Sequence, residues 1–172
     1  MSVRRLLVAL STGLGLAALA WPSMHAPVVC IVYNPSDSVP RGWYRIGPAD
    51  SLQVGSIVLA QLPADAATLA AQRGYLPAGI PLLKRIGAMP PQLVCLQGRI
   101  VRIDDVVIAI ALAADSHGRP LLAWQQCRSL LDGELFLLSS TNSASFDSRY
   151  FGPVSASKVI GSAHPLWTWG TP

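Results

Sequence analysis

From residue 28 onward the chain runs in short apolar stretches separated by Gly, Pro, Asp and Asn. Runs of this length, rich in Val, Ile and Leu, predict β-strands over residues 28–33, 42–46, 56–60, 81–86, 92–96, 99–103, 106–110, 134–139 and 157–162. Asp104 and Asp105 lie between two such runs as a two-residue hairpin turn, and Gln97 with Gly98 does similar work one strand earlier. Two stretches break the pattern. Residues 63–75, PADAATLAAQRGY, are rich in Ala, with Asp65 in the first turn and Gly74 near the end, and predict a short helix. Residues 140–148, STNSASFDS, are too polar for a buried strand and predict a loop. The pattern predicts a mainly β, antiparallel fold with one short helix.

The start of the chain follows another rule. Arg4 and Arg5 precede sixteen residues, 6–21, whose polar members are Ser11 and Thr12. A helix needs about 17–25 residues to span the hydrocarbon of a bilayer. Adding Pro22, Ser23 and Met24 brings the segment to a marginal span. Trp21 stands where an interfacial aromatic belongs, and the arginine pair would hold the start in the cytoplasm. The expectation is a cytoplasmic stub and transmembrane anchor over residues 1–24, with an exported, periplasmic domain over residues 25–172. A cleaved signal peptide has the same shape, with Ala18 and Ala20 as small residues before a cut. A lipid-modified Cys30 fits poorly, because bulky Val28 and Val29 precede it. The tail, PLWTWG, reads either as an interfacial segment or as two aromatics, Trp167 and Trp169, finishing the core.

Composition sharpens this picture. A chain of 172 residues can hold one domain with a real core. With 51% hydrophobic and 13% charged residues, some apolar surface should face something other than water. The net charge of +4 comes mostly from Arg scattered without a stripe, which speaks against nucleic acid and suits an anionic membrane surface. Cys30, Cys95, Cys127 and His25, His117, His164 follow no ligand spacing, so neither a metal nor a cofactor is expected. An exported domain permits a Cys95–Cys127 bridge with Cys30 left over, although spacing alone does not establish the pairing.

Only two lysines occur, Lys84 and Lys158. Lys84 lies in PLLKRI, where strand alternation puts it on one face with Leu82 and Ile86. An ammonium there would be partly stripped of water, which lowers its pKa and lets a neutral amine act as a base. Taken by itself the segment favours a plainer reading, a strand-edge lysine snorkelling to solvent. Two polar stretches complete the candidates. NPSDSVPRGWY, residues 34–44, is a stiff turn able to present a hydroxyl, and TNSASFDSRYFGP, residues 141–153, gathers Ser, Asp and Arg. No histidine has a motif around it from which a Ser-His-Asp triad could be built.

These segments together, with the AQRGY stretch, the Lys84-Arg85 pair and the N-terminal apolar segment, resemble the conjugative-transfer signal peptidases of the TraF type. That family is a branch of the bacterial signal peptidase I group, and the resemblance runs over nearly the whole chain. It implies a signal-peptidase-like antiparallel β fold and a serine endopeptidase with Ser38 as nucleophile and Lys84 as general base. It also implies Asp147 and Arg149 as an Asp-Ser-Arg element supporting the site, with a direct part for Asp147 left open. From the wider group come Ser36 as an oxyanion helper and Ser145 as the residue orienting the lysine. The implied substrates are exported precursors with small residues before the cut, the conjugative pilin foremost, which some members also cyclise. Other transfer-apparatus proteins are implied partners. The rival readings are a noncatalytic, membrane-anchored assembly protein of a conjugation or secretion apparatus, a self-cleaving repressor-type protease and a structural lipoprotein.

Overall fold

The structure is a computed structural model that describes residues 3–20, 31–139 and 141–169. It divides into two units, Met1–Cys30 and Ile31–Pro172. In the first, helix α1 (Val3–Ala20) forms from the apolar segment, and Ser11 and Thr12 turn their hydroxyls back onto the Val8 carbonyl. Eighteen residues at about 1.5 Å each reach about 27 Å, short of a hydrocarbon core of roughly 30 Å. Ser11, Thr12, Gly13 and Gly15 also dilute its apolar character. Among the described residues, no helix is long and apolar enough to cross a membrane. Trp21 and the expected extension through Met24 lie outside the described residues, as do His25, Val28, Val29 and Cys30.

Among its described residues the second unit carries two antiparallel sheets. The larger follows the order β1 (Ile31–Asn34), β2 (Arg41–Gly47), β11 (Val159–Trp169), β3 (Ile57–Ala60), β4 (Leu82–Ala88), β9 (Glu134–Leu138), β10 (Val154–Ser155). The smaller runs β7 (Val106–Ile110), β6 (Ile100–Ile103), β5 (Leu93–Gln97), β8 (Cys127–Ser129). Strands β8 and β10 are too short to show a period in sequence, which is why they were not expected. Cys95 and Cys127 face each other across β5 and β8 and form a disulfide. Asp104 and Asp105 turn the β6–β7 hairpin with φ of 48° and 66°, the left-handed pair that a two-residue hairpin requires. The expected short helix is α2 (Ala64–Gln72). The polar loop leads into α3 (Ser148–Phe151), closed by Gly152 at φ 77°, where a Cβ would strike the Trp124 ring.

Strand β4 lies inside the larger sheet, between β3 and β9, and both its faces are buried. Leu83 packs with Val39, Tyr44 and Leu59. Leu82 and Ile86 pack with Val58, Leu135 and Leu137 on the other side. A third cluster joins Val94, Leu96 and Val101 of the small sheet to Phe136 and Leu138. Each such fully buried side chain contributes about 1.5–3 kcal/mol. The tail departs from one of its two expectations. It continues β11 beside β2 and leaves Leu166, Trp167 and Trp169 exposed, so these aromatics do not finish the core.

Candidate active site

Three segments meet over the middle of the larger sheet. The first is the turn between β1 and β2, whose Ser38 is buried and whose carbonyl accepts from Ser139 Oγ at 2.9 Å. The second is β4, which brings Lys84 in from below. The third is the loop after β9, which carries Ser145. Lys84 is only 4% exposed, which excludes the snorkelling alternative: β4 is a central strand and offers the side chain no edge to escape by.

Lys84 Nζ donates to Ser38 Oγ at 2.5 Å and also to Ser145 Oγ. The two hydroxyls stand 3.1 Å apart. Burial pushes the Lys84 ammonium down to about 8. The negative charge of Asp147 opposes that shift, and the Arg149 guanidinium adds to it. A lysine in this setting holds an appreciable fraction of neutral amine near pH 8, next to a serine hydroxyl.

Asp147 and Arg149 sit one layer behind. Asp147, fully buried, caps α3 by accepting from the Arg149 N–H, and takes a bidentate contact from the guanidinium at 2.8 and 2.9 Å. Its Oδ2 also accepts from the Ser139 N–H at 3.0 Å. Arg149 spends its remaining donors on the carbonyls of Ile110, Asn142, Ser143 and Ser145. Asp147 thus bonds neither Ser38 nor Lys84. Through Ser139 it reaches the Ser38 carbonyl, and through Arg149 the Ser145 carbonyl. No buried side-chain polar atom among the described residues lacks a partner, as a polar site in low dielectric demands. Ser36 Oγ donates to Asn34 Oδ1 at 2.8 Å.

Sequence reasoning had singled out neither Ser139 nor Asn34. Each is a polar residue at the end of an apolar strand, a position with many ordinary occupants, and only the fold shows where its side chain is spent. Ser38, Lys84 and Ser145 open into a cleft of about 750 Å³. Its lining is mainly apolar, with Leu59, Leu76, Ile80, Leu83 and Leu121 among the walls. A cleft of this size is that of a ligand-binding site.

The family model described as signal peptidase, peptidase S26, matches residues 3–169. The plasmid transfer protein TraF of Escherichia coli is 31% identical over 146 residues, covering 79% of this chain and 82% of that protein. The conjugal transfer protein TraF of Agrobacterium fabrum strain C58 is 33% identical over 145 residues, covering 79% and 81% respectively. A signal peptidase I from Enterococcus faecalis V583 aligns with a TM-score of 0.41 at 20% identity, over 66% of this chain and 97% of that one. The chain belongs to the signal peptidase family, peptidase S26, as a conjugative-transfer member of the TraF type, and is a serine endopeptidase of the signal-peptidase type.

Proposed function

We propose that this peptidase cuts an exported precursor of a conjugation system, the pilin, with Ser38 as nucleophile and Lys84 as general base. The observation that carries the reading is a lysine buried at 4% exposure whose hydrogen-bond partners are both serine hydroxyls in one apolar cleft. The neutral Lys84 amine takes the Ser38 proton on its lone pair, while one of its own N–H groups donates to Ser145 Oγ and so fixes the direction of that lone pair. Ser38 Oγ adds to the scissile carbonyl, and the Ser38 N–H with the Ser36 hydroxyl receives the oxyanion. Losing one such donor typically costs about 3–4 kcal/mol of transition-state stabilisation. Collapse breaks the C–N bond, the Lys84 ammonium returns its proton to the leaving amine, and an ester on Ser38 remains. Water, activated by the same amine, hydrolyses that ester. The precursor's own terminal amine in place of water would close a ring.

Asp147 and Arg149 support the geometry. The catalytic unit faces the periplasm, held by a single-pass N-terminal anchor to which α1 contributes. Replacing Ser38 or Lys84 with Ala should abolish processing of a co-expressed pilin precursor while the protein stays in the membrane fraction. Processing at the wild-type level by both variants would sink the proposal.

A further inference from the structure

Residues 35–40 carry Ser38 between β1 and β2 and belong to neither strand, so their carbonyls need partners from elsewhere. Each of residues 36–40 has one. The Asp37 carbonyl accepts from Thr141 Oγ1 at 3.2 Å and the Ser38 carbonyl from Ser139 Oγ. The other three converge on a single side chain. Asn34 Nδ2 donates to the carbonyls of Ser36, Val39 and Pro40 at 2.9, 3.0 and 3.1 Å, and Tyr44 Oη adds a second donor to Pro40. Asn34 Oδ1 accepts from both the N–H and the hydroxyl of Ser36, at 3.1 and 2.8 Å. Asn34 is 4% exposed, and this one amide bonds the turn on both sides of Ser38.

We infer that Asn34 is a positioning residue for the peptidase reaction: its amide clasps the turn so that Ser38 Oγ stays on Lys84, and it holds the Ser36 hydroxyl until an oxyanion forms. This rests on the reading of Ser38 as nucleophile and Ser36 as oxyanion donor. The chemistry of the clasp suits that second task. The Ser36 hydroxyl has one proton, which Asn34 Oδ1 holds in the resting site. When charge develops on the substrate oxygen, the hydroxyl exchanges a neutral hydrogen bond for a charge-assisted one, which is about twice as strong. Asn34 Oδ1 is not orphaned by the swing, because the Ser36 N–H stays on it. No other residue type of this size supplies both the two-hydrogen donor and the acceptor.

The test compares full-length wild type, Asn34→Ala, Asn34→Asp and Ser38→Ala in detergent micelles. The probe is a quenched fluorescent peptide with Ala at the first and third positions before its cleavage point. For Asn34→Ala, kcat should fall about 100-fold, the scale of a lost oxyanion donor or a displacement of about 1 Å. KM should stay within about threefold, and the pH midpoint of turnover should not move, because Lys84 is untouched. Asn34→Asp keeps an acceptor for Ser36 but sets an oxygen without hydrogens against the carbonyls of Ser36, Val39 and Pro40, and should fall at least as far as Asn34→Ala. A folded Asn34 variant with wild-type kcat overturns the inference. So does a loss of turnover that only tracks a loss of folded protein by circular dichroism. Turnover surviving in Ser38→Ala would instead overturn the nucleophile assignment itself.

Discussion

Lys84 lies opposite Val58 across β3 and β4, beside Leu82 and Ile86, and burial there brings its pKa from 10.5 to about 8. Keeping the ammonium charged in the folded state therefore costs on the order of a few kcal/mol. The hydrogen bonds to Ser38 and Ser145 offset about 1 kcal/mol each. Between about pH 8 and 10.5 the unfolded chain holds a proton that the folded chain has released, so wild-type stability rises with pH across that window. Lys84→Met removes the buried charge and leaves the two serine hydroxyls to pair with each other. The variant should be inactive, yet more stable than wild type by about 1–2 kcal/mol at pH 7, with the advantage shrinking toward pH 10. Urea unfolding at the two pH values measures this, and a variant less stable at pH 7 would contradict it. Wild-type turnover should rise with pH around a midpoint near 8. Lys84 was legible through the resemblance of its segment and of residues 34–44 and 141–153 to the TraF-type peptidases, since the strand alone favoured a lysine snorkelling to solvent. Ser139 and Asn34 were not, because their partners are backbone carbonyls and N–H groups that only the folded chain brings within reach.

The loop from β9 through α3 is the element on which the second half of the site hangs. Its polar sequence marked it as a loop, but polarity alone does not say that Arg149 is 1% exposed and gathers four carbonyls around Ser145. That arrangement depends on the buried pair with Asp147, since an unpartnered guanidinium in this position would be costly. Asp147→Asn retains shape and capping but strands the cation, and should lower unfolding free energy by about 3–5 kcal/mol. Asp147→Asn combined with Arg149→Met removes the orphaned charge and should recover a substantial part of that loss. If Asp147 acts only as support, peptide turnover at a temperature where Asp147→Asn stays folded should be reduced, not abolished. A folded variant with no detectable turnover would assign Asp147 a direct part in the chemistry. The short strands illustrate the same limit on sequence reading. The disulfide seats β8 against β5, but three residues cannot carry a strand period.

At the scale of the molecule, part of the apolar excess in the composition lies on one exposed surface of the larger sheet. On the outward side of the larger sheet, Trp43 pairs with Tyr33 of β1 and Trp167 of β11, and the next pairs bring Arg41 against Trp169 and Arg45 against both Ile31 and His164. Tyr33 lies 5.1 Å from Trp43 and 6.1 Å from Trp169 between ring centroids. All of these aromatics are exposed, and Trp167 keeps 73% of its surface. Arg41 and Arg45 lie among these rings, and Asp37 pairs with Arg41, so the face is aromatic with a small excess of positive charge. Aromatic rings with arginines are the side chains that settle at an anionic membrane interface. Tyr33 also lines the cleft, so contact with lipid at this face would set the cleft beside the bilayer surface. Replacing Trp43 and Trp167 with Ser together should therefore slow cleavage of a precursor reconstituted in vesicles containing phosphatidylglycerol. Each ring removed from an apolar environment is worth on the order of 1 kcal/mol, so the pair should lower the rate by about 30-fold. Cleavage of a soluble peptide with the same sequence should change by less than about twofold, because neither Trp lines the cleft. Equal losses on both substrates would mean that the rings support the sheet and do not meet the membrane.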